Sequence, residues 1–154
     1  MIFTVQLTTA SSSLGHRTKF FSKTLACNPD NFNTDFYKRY AEERALEQTE
    51  KLVRDAKQQG VELIEKSLSL EELLAFVTEN SLPVVLINWH VISGEDSYHR
   101  HFVPIVGYDE KNVYIHQHGL RDTQEFMPVA RDLFDKARKA PGTDEDVMVV
   151  YKKS

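Results

Sequence analysis

The chain has 154 residues, of which 41% are hydrophobic, and a formal net charge of −4 at pH 7. This length and apolar content predict one globular domain over residues 1–154, and the absence of a basic stretch argues against a nucleic-acid partner. The first residues lack the basic and apolar runs of a signal peptide or membrane span. The single cysteine, Cys27, cannot form an internal disulfide. We therefore expect a cytoplasmic protein without a membrane anchor.

The N-terminal half begins with about thirty residues that show no clear periodicity, and "ACNPDNF" predicts a loop. A helix is predicted over residues 33–59, because apolar residues recur there at steps of three and four and Gly60 follows. The next segment, "VELIEK", alternates apolar and charged residues, which is typical of a half-buried strand. In "SLSLEELLAFVTEN", Ser69 and Glu72 predict the capping box of a short helix.

The C-terminal half reads mainly as strands. "LPVVLINWH" is apolar on both faces, which predicts a strand in the middle of a sheet with Pro83 at its beginning. "HFVPIVGYD", a polar turn and "NVYIHQH" predict a β-hairpin. Pro128 precedes a predicted amphipathic helix in "VARDLFDKARKA", and "VMVVYKK" predicts a last strand. Strands joined by hairpins form antiparallel sheets, so the expected fold class is α+β, with helices packed against an antiparallel sheet.

Four of the six histidines form two His-x-His pairs at opposite ends of the predicted hairpin. Residues two apart in a strand face the same side, so His99, His101, His116 and His118 could converge on a transition metal. Alternatively, His101 is a general base that Gln117 orients, as an amide or carboxylate does in cysteine peptidases. The hairpin register decides between these two interpretations, because a slip of one residue reverses the face of every side chain in a strand. In a third interpretation, the histidines other than His99 and His101 are ordinary structural residues.

Two stretches, "HFVPIVGYDEKNVYIHQHG" and "FMPVARDLFDKARKAPGTDEDVMVV", resemble the guanylyl-cyclase-like family, which comprises guanylyl cyclase domain-containing proteins and their bacterial relatives. The family's pieces are an approximate "GHF" strand ending in "GYD", a "VY" strand ending in Asp or Asn, and a closing "GTDED" segment. The similarity extends back through "FYKRYAEERA" and covers most of the chain. This resemblance implies a papain-like (cysteine-proteinase-like) fold, in the branch that is like the bacteriocin leader peptidases.

The resemblance also implies roles for individual residues. The catalytic histidine of the superfamily falls on His101, and its orienting Asp or Asn falls on Gln117, which is longer by one methylene. The nucleophilic cysteine of the family lies on an N-terminal helix upstream of the matched residues, which implies an N-terminally truncated papain-like fold. Cys27 follows that position in a loop with Lys23 as its only basic neighbour, so we do not assign it as the nucleophile.

We therefore expect a papain-like protein with an incomplete triad that is non-catalytic and uses its cleft for binding or assembly. No cofactor or metal is expected. The candidate partners are a peptide, a small acyl or amide compound, a second copy of the chain, or a protein that covers the site of the missing helix.

Two alternatives stay open at this stage. The first is a thiol hydrolase or acyltransferase that uses His101 and Gln117 with Cys27 or with a nucleophile outside this chain. The second is a metal-binding protein that uses the His-x-His pairs. Synthesis of cyclic GMP is disfavoured, because the sequence shows no paired carboxylates arranged to hold metal ions around a triphosphate.

Overall fold

The computed structural model describes residues 3–26, 28, 30, 35, 38, 45–96, 98–119 and 123–154. The helices formed by these residues are α1 (Thr4–Ser13), α2 (Ala45–Gln58), α3 (Leu70–Leu74), α4 (Trp89–Ser93) and α5 (Arg131–Arg138). The strands are β1 (Thr18–Ser22), β2 (Glu62–Glu65), β3 (Ser81–Asn88), β4 (Arg100–Tyr108), β5 (Asn112–Gln117), β6 (Gln124–Ala130) and β7 (Val147–Tyr151). None of the described helices has the length and apolar character needed to cross a lipid bilayer.

All seven strands belong to one sheet, in the order β2-β1-β7-β3-β4-β5-β6. Every neighbouring pair is antiparallel except β1 and β2, which are parallel. The predicted α+β class is thus confirmed. Strand β3 occupies the centre of the sheet, as its apolar character on both faces predicts, and Pro83 is its third residue.

The sheet separates two hydrophobic cores. Adjacent residues of β1 face opposite sides, and Phe20 and Phe21 accordingly belong to different clusters. The larger core contains Phe21 together with Leu73 of α3 and Phe134 of α5. The smaller core lies on the opposite face, where Phe20 packs with residues of α1 and α2. We call these the α5 face and the α1 face of the sheet.

The predicted end of the helix before Gly60 is confirmed. Gly60 has φ +81°, and the N–H groups of Gly60 and Val61 donate to the carbonyls of Lys57 and Ala56, both at 3.0 Å. This left-handed closure is the Schellman motif that a glycine after a helix predicts. The predicted beginning of this helix, at residue 33, lies outside the described residues.

The capping box of α3 is confirmed as well. The Glu72 N–H donates to the Ser69 hydroxyl at 3.1 Å, and the Ser69 N–H donates to the Glu72 carboxylate at 2.9 Å. Two helix N–H groups that would otherwise lack intrahelical partners are satisfied in this way.

Two predicted boundaries are wrong. Pro128 lies inside β6 and α5 begins only at Arg131, because a proline without an N–H group is tolerated in a strand at the edge of a sheet. Trp89 does not extend β3 but begins α4, since the side chain of Asn88 accepts a hydrogen bond from the His90 N–H at 3.2 Å and caps that helix. Helix α1 and strands β1 and β6 were not predicted.

Candidate functional site

His101 is the second residue of β4 and pairs with Ile87 of β3. Because directly paired residues point to the same side of a sheet, its side chain lies on the α5 face, like those of Val103 and Ile105 further along the strand. The His101 ring meets the ring of Trp89 edge-on, with the two centroids 5.7 Å apart. The predicted general base is therefore at the rim of the larger core.

Gln117 lies on the same face as His101. It is the last residue of β5 and only 3% exposed, and it follows the buried Val113 and Ile115 at steps of two. Ile115 pairs with Ile105 of β4, which places this row of β5 on the α5 face. The register thus brings Gln117, rather than His116, to the side of the sheet that carries His101.

The imidazole of His101 is in its neutral form near neutral pH. Burial, followed by the nearby imidazoles of His118 and His99, lowers its pKa from 6.5 to about 4. Its Nε2 atom is buried and has no hydrogen-bond partner among the described residues. A pKa of about 4 leaves only about one imidazole in a thousand protonated at pH 7.

The remaining histidines of the two pairs have separate surroundings. The ring of His99 contacts that of His90, 5.1 Å between centroids, whereas His118 contacts His101 at 5.3 Å. The Nδ1 atom of His116 accepts a hydrogen bond of 3.1 Å from the backbone N–H of Phe126. Among the residues that the structure describes, no three His, Cys, Asp or Glu side chains are placed to hold a metal ion.

Cys27 lies outside the described residues, but its neighbours Ala26 and Asn28 line a cleft that Arg100 also lines. Arg100 precedes His101 in β4, so the two side chains point to opposite faces of the sheet. The cleft is consequently on the α1 face, across the sheet from the imidazole.

This cleft on the α1 face contains a buried carboxyl group for which no sequence pattern predicted a role. Asp146 is 9% exposed, and its Oδ2 atom accepts a hydrogen bond from the hydroxyl of Thr4 in α1. Its Oδ1 atom is buried without a hydrogen-bond partner among the described residues. The neighbouring hydroxyl of Ser22 donates to the carbonyl of Thr24 at 2.8 Å instead. Within the described part of the chain, no group thus donates a hydrogen bond to this carboxyl oxygen at the cleft wall.

Burial is the main reason why the pKa of Asp146 is raised from 3.8 to about 7. The hydroxyls of Thr4 and Ser22 and the charge of Arg100 oppose this rise in pKa, whereas the charge of Asp144 adds to it. The Asp146 carboxyl thus changes its charge close to neutral pH.

Contacts of the "GTDED" segment hold the loop that ends at Asp146. Gly142 has φ +93° and packs against the ring of Tyr98, and the Tyr98 hydroxyl donates to the Gly142 carbonyl at 2.7 Å. Thr143 is buried, and its hydroxyl donates to the Arg138 carbonyl at 2.6 Å. The Asp144 carbonyl accepts from the N–H of Lys23 at 2.8 Å. These contacts fix the loop immediately before Asp146 enters the sheet region.

A family model described as Guanylylate cyclase matches residues 1–150. The matched region includes the histidine hairpin, the cleft on the α1 face and the "GTDED" segment. No solved structure matches the chain.

Proposed function

This chain belongs to the guanylylate cyclase family, and we propose that it is a non-catalytic binding or assembly protein built on a papain-like fold. The α+β architecture supports the proposal, since a strand that carries a histidine runs beside a strand that carries an amide side chain on the same face. These are His101 and Gln117, the two positions at which a papain-like enzyme would place its base and the residue that orients it.

The observation that carries the proposal is the burial of the His101 ring beside other imidazoles, which lowers its pKa to about 4. A cysteine nucleophile is activated when a neighbouring imidazole takes its proton and stabilises the thiolate as imidazolium. A base that is some four pKa units weaker than a thiolate does not accept that proton to a useful extent. Gln117 is neutral and adds no negative charge to stabilise an imidazolium.

Cyclase activity, which the family description names, receives no support from the side chains. Cyclisation of a nucleoside triphosphate requires carboxylates that hold divalent metal ions around the phosphates. Within the described part of the chain no group of three potential metal ligands is present. We therefore do not include cyclisation in the proposed function.

A thiol hydrolase or acyltransferase is the second candidate, and one observation favours it. The Nε2 atom of His101 is buried without a partner among the described residues, and such a nitrogen can accept a proton from a thiol brought next to it. In this candidate function, a thiol would occupy that position. It would come from outside this chain or from Cys27, although the neighbours of Cys27, Ala26 and Asn28, line the cleft across the sheet.

Alkylation of Cys27 separates the two candidates, because it is the only thiol of the chain. We expect iodoacetamide to label Cys27 at neutral pH no faster than it labels free cysteine, since an imidazole of low pKa does not generate a thiolate. The rate is read from intact mass against time, with His101→Ala as the matched variant. Fast labelling that His101→Ala abolishes would establish the thiol enzyme instead.

The assembly part of the proposal concerns β6, which lies at one edge of the sheet. An edge strand presents unpaired backbone groups that can pair with another chain. Phe126 of this strand is 59% exposed, and a second copy of the same edge would bury it in a symmetric contact.

We expect the chain to self-associate through β6. The substitution Phe126→Ser should therefore shift the mass measured by light scattering toward that of the monomer. The matched control is Leu14→Ser, because Leu14 is 69% exposed and lies beyond the end of α1, outside the edge strand. A monomer at every concentration, or equal shifts for both variants, would contradict assembly through this edge.

A further inference from the structure

We propose that the cleft on the α1 face binds a primary ammonium group attached to an apolar body, with Asp146 as the residue that pairs with the ammonium. The cleft lies across the sheet from His101, so this inference stands apart from the proposed function of the histidine site. It uses a carboxyl group for which the fold itself provides only part of the hydrogen bonding.

The first argument concerns charge. Among the described residues that line the cleft, the charged side chains are Arg100, Asp144 and Asp146. Together they carry one net negative charge when all three are ionised. Arg100 uses its Nη2 atom to donate to the Thr4 hydroxyl at 3.3 Å, and the Asp144 carboxylate accepts from Asn28 at 3.0 Å. A cation is therefore the ligand charge that balances this cleft.

The second argument concerns the free acceptor. Asp146 is more than nine-tenths buried, lines the cleft, and has an Oδ1 atom without a partner among the described residues. A buried carboxylate is costly unless it is both paired and hydrogen-bonded. An ammonium group supplies a positive charge and three donors, and charge-assisted hydrogen bonds of this kind are among the strongest in proteins.

The third argument concerns the remaining walls. The space between the cleft walls, about 520 Å³, is partly open to solvent. Six apolar side chains line it: Phe3, Val5, Phe20, Leu25, Ala26 and Val53. These walls would exclude water from an aromatic ring or a branched aliphatic group, so the ligand class is an apolar amine rather than a polyamine or an inorganic cation.

The ammonium binds only the ionised form of Asp146, so affinity must depend on pH. The described groups that face Asp146 are Thr4 from α1, Ser22 from β1, Arg100 from β4 and Asp144 from its own loop. Because the carboxyl titrates near pH 7 while an alkylamine stays charged, binding should be about 30-fold weaker at pH 5.5 than at pH 8.

The probes are 2-phenylethylamine and its N-acetyl derivative, which has the same ring but no charge. Titration calorimetry at pH 8 should show saturable binding of the amine and at least about tenfold weaker binding of the acetylated compound. A second pair of probes, phenylalanyl-glycinamide and its N-acetyl form, distinguishes the source of the ammonium. Binding of the dipeptide assigns the cleft to peptide N-termini, and exclusion of the dipeptide assigns it to small amines.

Three variants locate the binding. Asp146→Asn should weaken binding of 2-phenylethylamine by about tenfold or more and remove its pH dependence. Val53→Trp should block the cleft from α2 without touching the carboxyl, whereas Gln58→Trp, which adds the same ring at an exposed position of α2, should bind as the wild type does. No saturable binding at millimolar amine, equal binding of the acetylated compound, or unchanged binding by Asp146→Asn would each overturn the proposal.

Discussion

Replacing Arg138 with alanine is expected to lower the free energy of unfolding by about 3–5 kcal/mol, because the replacement removes a fully buried guanidinium together with its ion pairs and hydrogen bond. The Arg138 side chain is fully buried and pairs with Asp135 at 2.6 Å and with Glu145 at 3.9 Å. It also donates to the backbone carbonyl of Leu68 at 2.8 Å. Alanine would remove all three contacts and leave a cavity between α5 and the "GTDED" loop. Denaturant titration of both proteins measures the difference.

Lys139 provides the matched control for this effect. It pairs with the same carboxylate, Asp135, at 3.0 Å, but its side chain is 42% exposed. Lys139→Ala should therefore cost only about 0–1 kcal/mol, as surface ion pairs do. Equal losses for Arg138→Ala and Lys139→Ala would show that burial of the guanidinium contributes nothing.

Replacing Asp146 with asparagine is expected to stabilise the fold at alkaline pH. A carboxyl whose pKa is raised by folding stabilises the folded state fully only below pH 3.8, and that stability is lost as the pH rises through about 7. Asparagine does not ionise, so it loses no stability as the pH rises, and its amide oxygen can still accept the hydrogen bond from Thr4. At pH 8 the free energy of unfolding of Asp146→Asn should exceed that of the wild type by about 4 kcal/mol, and this difference should disappear near pH 4.

Denaturant titrations at pH 4 and pH 8 measure this difference, and Asp144→Asn is the matched control. Asp144 lies in the same loop and accepts a hydrogen bond from Asn28, which an asparagine oxygen can also accept, so its replacement should change the free energy of unfolding at pH 8 by less than about 1 kcal/mol. An Asp146→Asn variant that is less stable than the wild type at pH 8 would contradict the buried, unsatisfied carboxyl. A stabilising variant would mean that the wild type keeps a costly group in its cleft, as functional sites commonly do.

The elements that sequence patterns predicted are those whose signals are local. Ser69 and Glu72 fix the start of α3 within four residues, and Gly60 ends α2 through its own backbone conformation. The central position of β3 follows from its apolar faces alone. By contrast, β1 is only five residues long and is defined by pairing with β2 and β7, which lie far along the chain. The residues next to Phe20 and Phe21 in the sequence give no indication of this pairing.

The same contrast separates the histidine site on the α5 face from the cleft on the α1 face. The sequence and the family resemblance predicted roles for His101 and Gln117, but only the register of Ile105 with Ile115 puts them on one face of the sheet. Asp146 is the last residue of "GTDED", and no sequence pattern predicted a role for it, because its burial depends on contact with Thr4, 142 residues away in the chain. An acidic residue between a turn and an apolar strand is a weak sign of a binding site in a sequence. Only the packing of α1 against the sheet buries this carboxyl group.

The titration of the His101 imidazole by NMR tests the central claim most directly. The C–H resonances of the ring, assigned with a His101→Gln variant, should show a pKa of about 4, because burial and two neighbouring imidazoles disfavour the charged form. A midpoint in that acidic range means that the ring cannot act as the base for a thiol at neutral pH. A midpoint at or above 6.5, shifted further when Cys27 is alkylated, would contradict the account and identify a working thiol–imidazole pair.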